Sequence, residues 1–168
     1  DYVARGSREK ALAALANAAA TAKDIEFSEE RIRALQEIAA HYTLLSVNDK
    51  AIETLAEAQS ETETLTGVHR DAIFSAIALG FLRAGSLDLA ERALDLIEDK
   101  VQIASTLTGY AMQFEEKGER DDALETLEEA YQILKSQSDR EVRNSRDRFD
   151  LFGSIAVLFA RFGKIERA

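Results

Sequence analysis

A small residue that returns in fixed company restricts a chain to architectures in which one unit is placed repeatedly against itself. Alanine does so here at Ala11, Ala51, Ala90, Ala123 and Ala168. Five residues before each stands a turn-former (Gly6, Ser46, Gly85, Gly118, Gly163), and nine before it an aromatic ring (Tyr2, Tyr42, Phe81, Phe114, Phe159). Twelve before it, wherever the chain reaches, is another alanine (Ala39, Ala78, Ala111, Ala156), and four after it comes leucine (Leu15, Leu55, Leu94, Leu127). Self-similarity of this density reads as a repeat array, in which each unit buries its apolar stripe against its neighbours.

The spacings within a unit are helical. Leu35, Ile38, Ala39 and Tyr42 fall at i, i+3, i+4 and i+7, on one stripe of a helix A. Ala51, Leu55 and Ala58 form the stripe of a helix B, for which Ser46 is assigned as the capping residue with Asp49 three positions on. Facing alanines let two helix backbones approach closely, while the ring and the leucines fill the space around them. The chain contains no proline and is rich in alanine, leucine and glutamate, so an all-α fold is expected. The anchors are 40, 39, 33 and 45 residues apart, and the surplus falls at Lys23 to Ser28, Ser60 to Gly67 and Ser136 to Arg148. In the last of these, longer helices are predicted in place of a loop. The shortest unit ends in a turn at Ile97 to Lys100, with Ile97 assigned to the late helix-B position that Ala18, Ala58 and Ala130 hold elsewhere, which predicts wider packing there. Tyr2 and Ala168 occupy positions inside incomplete units, so the chain is read as a piece of a longer solenoid.

The pattern resembles the tetratricopeptide-repeat family, in the small residue, ring, turn glycine and small residue at Ala78, Phe81, Gly85 and Ala90, and again at Ala111, Phe114, Gly118, Ala123 and Ala130. The family's early tryptophan is replaced by Leu35, Phe74, Leu107 and Phe152, and its usual period is about 34 residues. The resemblance implies an α-solenoid of antiparallel helix-turn-helix repeats wound into a right-handed superhelix. It would form a single domain over 1–168: a partial unit 1–27, units at about 28–67, 68–100 and 101–138, and a partial unit 139–168. In that family the helix-A face turned from the core lines a peptide groove. Position by position, the groove here comprises Arg33, Gln36, Ala40 and Thr43, then Ala72, Ser75, Leu79 and Leu82, then Ser105, Thr108, Met112 and Glu115, and finally Asp150, Gly153, Val157 and Ala160. The lysines and asparagines with which some members grip a C-terminal carboxylate are missing. Small floors at Ala40, Ser75, Thr108 and Gly153, with apolar contacts at Leu79, Leu82, Met112 and Val157, suit an apolar or amphipathic protein segment. The competing reading is that these side chains pack against the next helix A.

Charge and composition narrow the function classes. With 31 acidic against 21 basic residues the net charge is -10, which disfavours a nucleic-acid partner that must be bound through its phosphates. The acidic cluster Glu115, Glu116, Glu119, Asp121, Asp122, Glu125, Glu128 and Glu129 reads as a solvated helix face, and the arginines at 140, 143, 146 and 148 as partners of interleaved carboxylates. There is no cysteine, and His41 and His69 stand apart from any ligand-spaced companion. No phosphate-cradling loop or nucleophile elbow is present, so the chain is read as non-enzymatic, without cofactor or metal. The apolar runs Ala72 to Leu82 and Leu151 to Ala160 fall short of the ~20 residues that span a bilayer, and cytoplasm is the default compartment. Two functions stay open: a binding scaffold that uses the concave helix-A face, and a ligand- or peptide-sensing regulatory module of a larger bacterial-type protein. Incomplete end units, with Leu12 and Leu15 at one end and Phe152, Ile155 and Phe159 at the other, predict homo-oligomers formed through the ends of the array.

Overall fold

The architecture is set by how its helices stop. A computed structural model describes residues 2–65, 69–136 and 145–163. Among them lie the helices α1 (Tyr2–Ala22), α2 (Ser28–Leu44), α3 (Asn48–Thr62), α4 (Arg70–Arg83), α5 (Leu87–Leu94), α6 (Lys100–Lys117), α7 (Arg120–Ser136) and α8 (Ser145–Arg161), and no strand. Ser46, Gly85, Gly118 and Gly163 have φ of 56°, 86°, 81° and 85°, the left-handed region that reverses a chain after a helix. At the first three turns the backbone bonds coincide. The N–H of the left-handed residue donates three positions back (Ser46 to Thr43, Gly85 to Leu82, Gly118 to Glu115), and the next N–H donates to the carbonyl of the ring residue: Val47 to Tyr42, Ser86 to Phe81 and Glu119 to Phe114, each at 2.9 Å. The anchor alanine then closes the first turn of the following helix, Ala51 donating to Val47, Ala90 to Ser86 and Ala123 to Glu119. The fixed intervals from ring to turn to alanine are thus one hydrogen-bond pattern written along the sequence.

Two assignments change. Ser46 does not cap α3; that helix starts after Val47 without a side-chain cap, and Ser46 instead terminates α2. Gly6 does not turn. It lies inside the 21-residue α1, surrounded by Arg5, Ser7, Arg8 and Glu9, and a glycine among helix-forming neighbours costs only about 1 kcal/mol.

The chain divides into two compact units, Asp1–Ala93 and Leu94–Ala168. In the first, α2 and α3 bury Leu35, Ile38, Ala39 and Tyr42 against Ala51, Leu55 and Ala58, and α4 adds Phe74, Ile77, Ala78 and Phe81. At Gly80 an added Cβ would lie 3.0 Å from Leu55, so glycine lets α4 press onto α3. Arg31 ties the elements together at the opposite end, its Nε 2.7 and 2.6 Å from the two Glu61 carboxylate oxygens, while its Nη1 donates to the Ile25 carbonyl at 2.6 Å. Lys23 to Phe27 form the link between α1 and α2. At the second surplus α3 runs to Thr62, and 66–68 lie outside the described residues.

In the second unit, Asp99 caps α6 by accepting from the Gln102 N–H at 2.9 Å. Ala104, Leu107 and Ala111 of α6 meet Ala123, Leu127, Ala130 and Leu134 of α7, all buried. Tyr131 of α7 stands edge-on to Phe152 and Phe159 of α8, with centroids 5.9 and 6.4 Å away. Although the sequence pattern places Phe152, Ile155 and Phe159 in an incomplete unit, packing on α7 leaves Ile155 and Phe159 buried and Phe152 half-buried. Ile97 is buried too, but outside any helix, because α5 stops at Leu94 and the Ile97 N–H turns back to the Leu94 carbonyl. Of the predicted helical stretch between Ser136 and Arg148, Ser136 ends α7 and 145–148 open α8, while 137–144, with Arg140 and Arg143, lie outside the described residues. So does Ala168.

Candidate peptide-binding cleft

Helices α2 and α4 both follow the helix-A pattern, and their first two turns stand side by side. Between them is a cleft of about 280 Å³, lined by Glu29, Ile32, Arg33 and Gln36 from α2 and by His69, Ala72, Ile73 and Ala76 from α4. Its floor exists because Ala72 and Ala76, one turn apart on α4, leave unfilled the volume a larger side chain would take, above the buried Ile32. The charged groups Glu29 and Arg33 are likewise one turn apart and exposed, and His69 sits at the mouth, next to the first turn of α4. Gln36 crosses the cleft, its Nε2 donating to the Ile73 carbonyl at 3.4 Å. Such a site offers an apolar bed one or two side chains wide under a mixed-charge rim.

The sequence-derived groove residues divide by burial. In the first unit Arg33 and Ala40 are exposed, Gln36, Thr43 and Leu79 half-buried, and Ser75 and Leu82 buried. In the second, Met112, Gly153 and Val157 are exposed, Glu115 is half-buried, and Thr108 is buried with its hydroxyl donating to the Ala104 carbonyl at 2.8 Å. At Ser75, Leu82 and Thr108 the side chain packs and offers no contact surface. Glu115 is engaged by Arg161 of α8 at 3.1 Å. The cleft thus gathers Arg33 and Gln36 with Ala72, and adds Glu29, Ile32, His69, Ile73 and Ala76, which sequence reasoning did not place in a site. The sequence reading set each helix A beside the next; that the opening falls over Ala72 and Ala76, with Ser75 and Leu82 buried, was not legible in it.

Acidic residues Asp121, Asp122, Glu125 and Glu129 are exposed on α7, the first two in its opening turn, where negative charge favours the helix dipole. Arg146 reaches Asp150 at 3.9 Å and Arg148 lies over the Phe152 ring. Among the described residues no group of His, Asp and Glu is arranged to hold a metal ion, and no helix is long and apolar enough to cross a membrane.

Among the described residues the fold is all-helical, with neighbouring helices packed on one another and left-handed residues after α2, α4, α6 and α8. Comparison with protein-family models, with curated proteins and with solved structures finds no match.

Proposed function

We propose that this chain is a non-catalytic peptide-binding scaffold of tetratricopeptide type, an α-solenoid whose working surface in the first unit is the cleft between α2 and α4. The observation that carries the reading is the cleft itself, a concave surface on the helix-A side where the exposed Ala72 and Ala76 admit a backbone and Arg33, Glu29 and Gln36 supply polar contacts. The equal bonding of the turns at Ser46, Gly85 and Gly118 supports the solenoid part of the reading. A bound segment would lay one or two small apolar side chains over Ala72 and Ala76, since a cleft of about 280 Å³ is at the lower limit of the ~300–1,000 Å³ of ligand pockets.

Selection from a displayed peptide library, followed by amide chemical-shift mapping on the folded chain, tests this. Selected peptides should shift the amides of residues 29–36 and 69–76, and Ala72→Glu or Ala76→Glu should weaken them at least ~10-fold with melting temperature unchanged, because both positions are exposed. Binders that map elsewhere, or that ignore both variants, would remove the cleft from the mechanism.

A further inference from the structure

Helix α8 meets different surroundings on its two sides. Phe152, Ile155 and Phe159 turn to α7, while Arg146, Phe149, Gly153, Val157 and Ala160 fall on a second stripe, about 120° round the helix, and are all exposed. Phe149 is 66% and Val157 67% accessible. Met112 of α6 is 43% accessible and stands one turn before Glu115, as Val157 stands one turn before the Arg161 that binds Glu115, so it extends the same apolar surface. The register position of Phe149, ten residues before the ring, is held in α2 by Ile32 and in α6 by Ala104, both buried. In α4 the position is the half-buried Asp71, so in those three helices this place is wholly or partly covered, whereas Phe149 lies open to solvent.

We propose that this stripe of α8 pairs with the same stripe of a second copy, antiparallel, about a twofold axis at Gly153. The spacing is self-complementary. Phe149 and Val157 lie four residues to either side of Gly153, about 6 Å each way along the helix, so an antiparallel partner sets each Phe149 beside the other copy's Val157. At the crossing point glycine is required for close approach, and a Cβ added to Gly153 would meet nothing within 4 Å, so that space is open to a partner. The exposed parts of Phe149, Val157 and Met112 amount to roughly 300 Å² per copy, short of the ~800 Å² a side of a standard interface, which makes the dimer weak. The proposal is independent of the cleft in the first unit: a chain that binds no peptide would still pair in this way.

Sedimentation equilibrium on the full chain should show a monomer–dimer equilibrium with Kd of roughly 10 µM to 1 mM and no larger species. Gly153→Leu, whose new side chain has room within one copy, and Val157→Asp should each weaken the dimer at least ~10-fold with helical dichroism and melting temperature retained. Because the chain has no cysteine, Gly153→Cys provides a direct geometric test, since it should form a symmetric disulfide under mild oxidation much faster than Ala13→Cys on exposed α1. A strict monomer at 1 mM, growth beyond the dimer as head-to-tail association would give, a dimer indifferent to both α8 variants, or equal disulfide rates would each overturn the proposal.

Discussion

Ser46 is the non-glycine residue that the turns carry in the left-handed region, with φ of 56°, and L side chains at such a φ cost roughly 1–2 kcal/mol. Ser46→Gly should therefore raise stability by about 0.5–1 kcal/mol, whereas Gly118→Ala should lower it by about 1 kcal/mol. Urea denaturation checks both, and a destabilised Ser46→Gly would mean that the serine hydroxyl contributes more than its backbone costs. The anchor alanines invite the opposite kind of change. Ala111 and Ala123 are fully buried, so Ala111→Leu or Ala123→Leu should cost about 1–3 kcal/mol by overpacking, while Met112→Glu, next to Ala111 but turned outward, should stay within about 0.5 kcal/mol. Equal melting temperatures for Ala123→Leu and Met112→Glu would contradict the assigned inner and outer faces.

Between elements, arginines do what the apolar pattern does not announce. Arg120, the first residue of α7, donates from Nε at 3.0 Å, and also from Nη2, to the Phe162 carbonyl at the end of α8. Arg8 donates in the same way from α1 to the Leu45 carbonyl at the end of α2, at 2.9 Å. Both stand three residues before an anchor alanine, and both place a cation on a helix C-terminus just ahead of its left-handed residue, where the backbone carbonyls lack partners. In α5 the equivalent position is Leu87, which has no donor. Replacing Arg120 by Leu should free the last turn of α8: amide exchange at 158–162 should quicken by about tenfold, with α6 unaffected, for a loss of about 1–2 kcal/mol. Unchanged exchange there would show that packing of Phe159 and Phe162 alone holds the end of the helix.

At the scale of the molecule, the chain gathers its helices into two compact units. Phe74, Ile77 and Phe81 are buried among residues 1–93, and Leu107, Leu127, Leu134, Ile155 and Phe159 among residues 94–168, where α6, α7 and α8 pack on one another. A fragment spanning 94–168 should accordingly keep its helical dichroism, and its Arg161–Glu115 ion pair should hold α8 on α6. Loss of helix in the isolated fragment, read in the far ultraviolet, would show that its stability is drawn from outside the unit.

What the amino-acid order determined is local. The ring, the left-handed residue and the alanine recur at fixed intervals because a helix end, a single reversed residue and a new first turn consume a set number of peptide units. Leu35, Tyr42, Ala51 and Leu55 were accordingly legible as core, and the helices as pairs. Gly6 marks the limit of that logic, since the same residue turns a chain or continues a helix according to what its neighbours can pack against. Only tertiary structure decided which outward residues meet. Ser75, Leu82 and Thr108 share the helix-A register with Arg33 and Met112, yet the former are buried and the latter are not. Periodicity gives the direction in which a side chain points along its own helix, whereas the distance to the next helix depends on side chains many residues away. That distance leaves the cleft over Ala72 and Ala76 open, and leaves Phe149 and Val157 on the surface of α8.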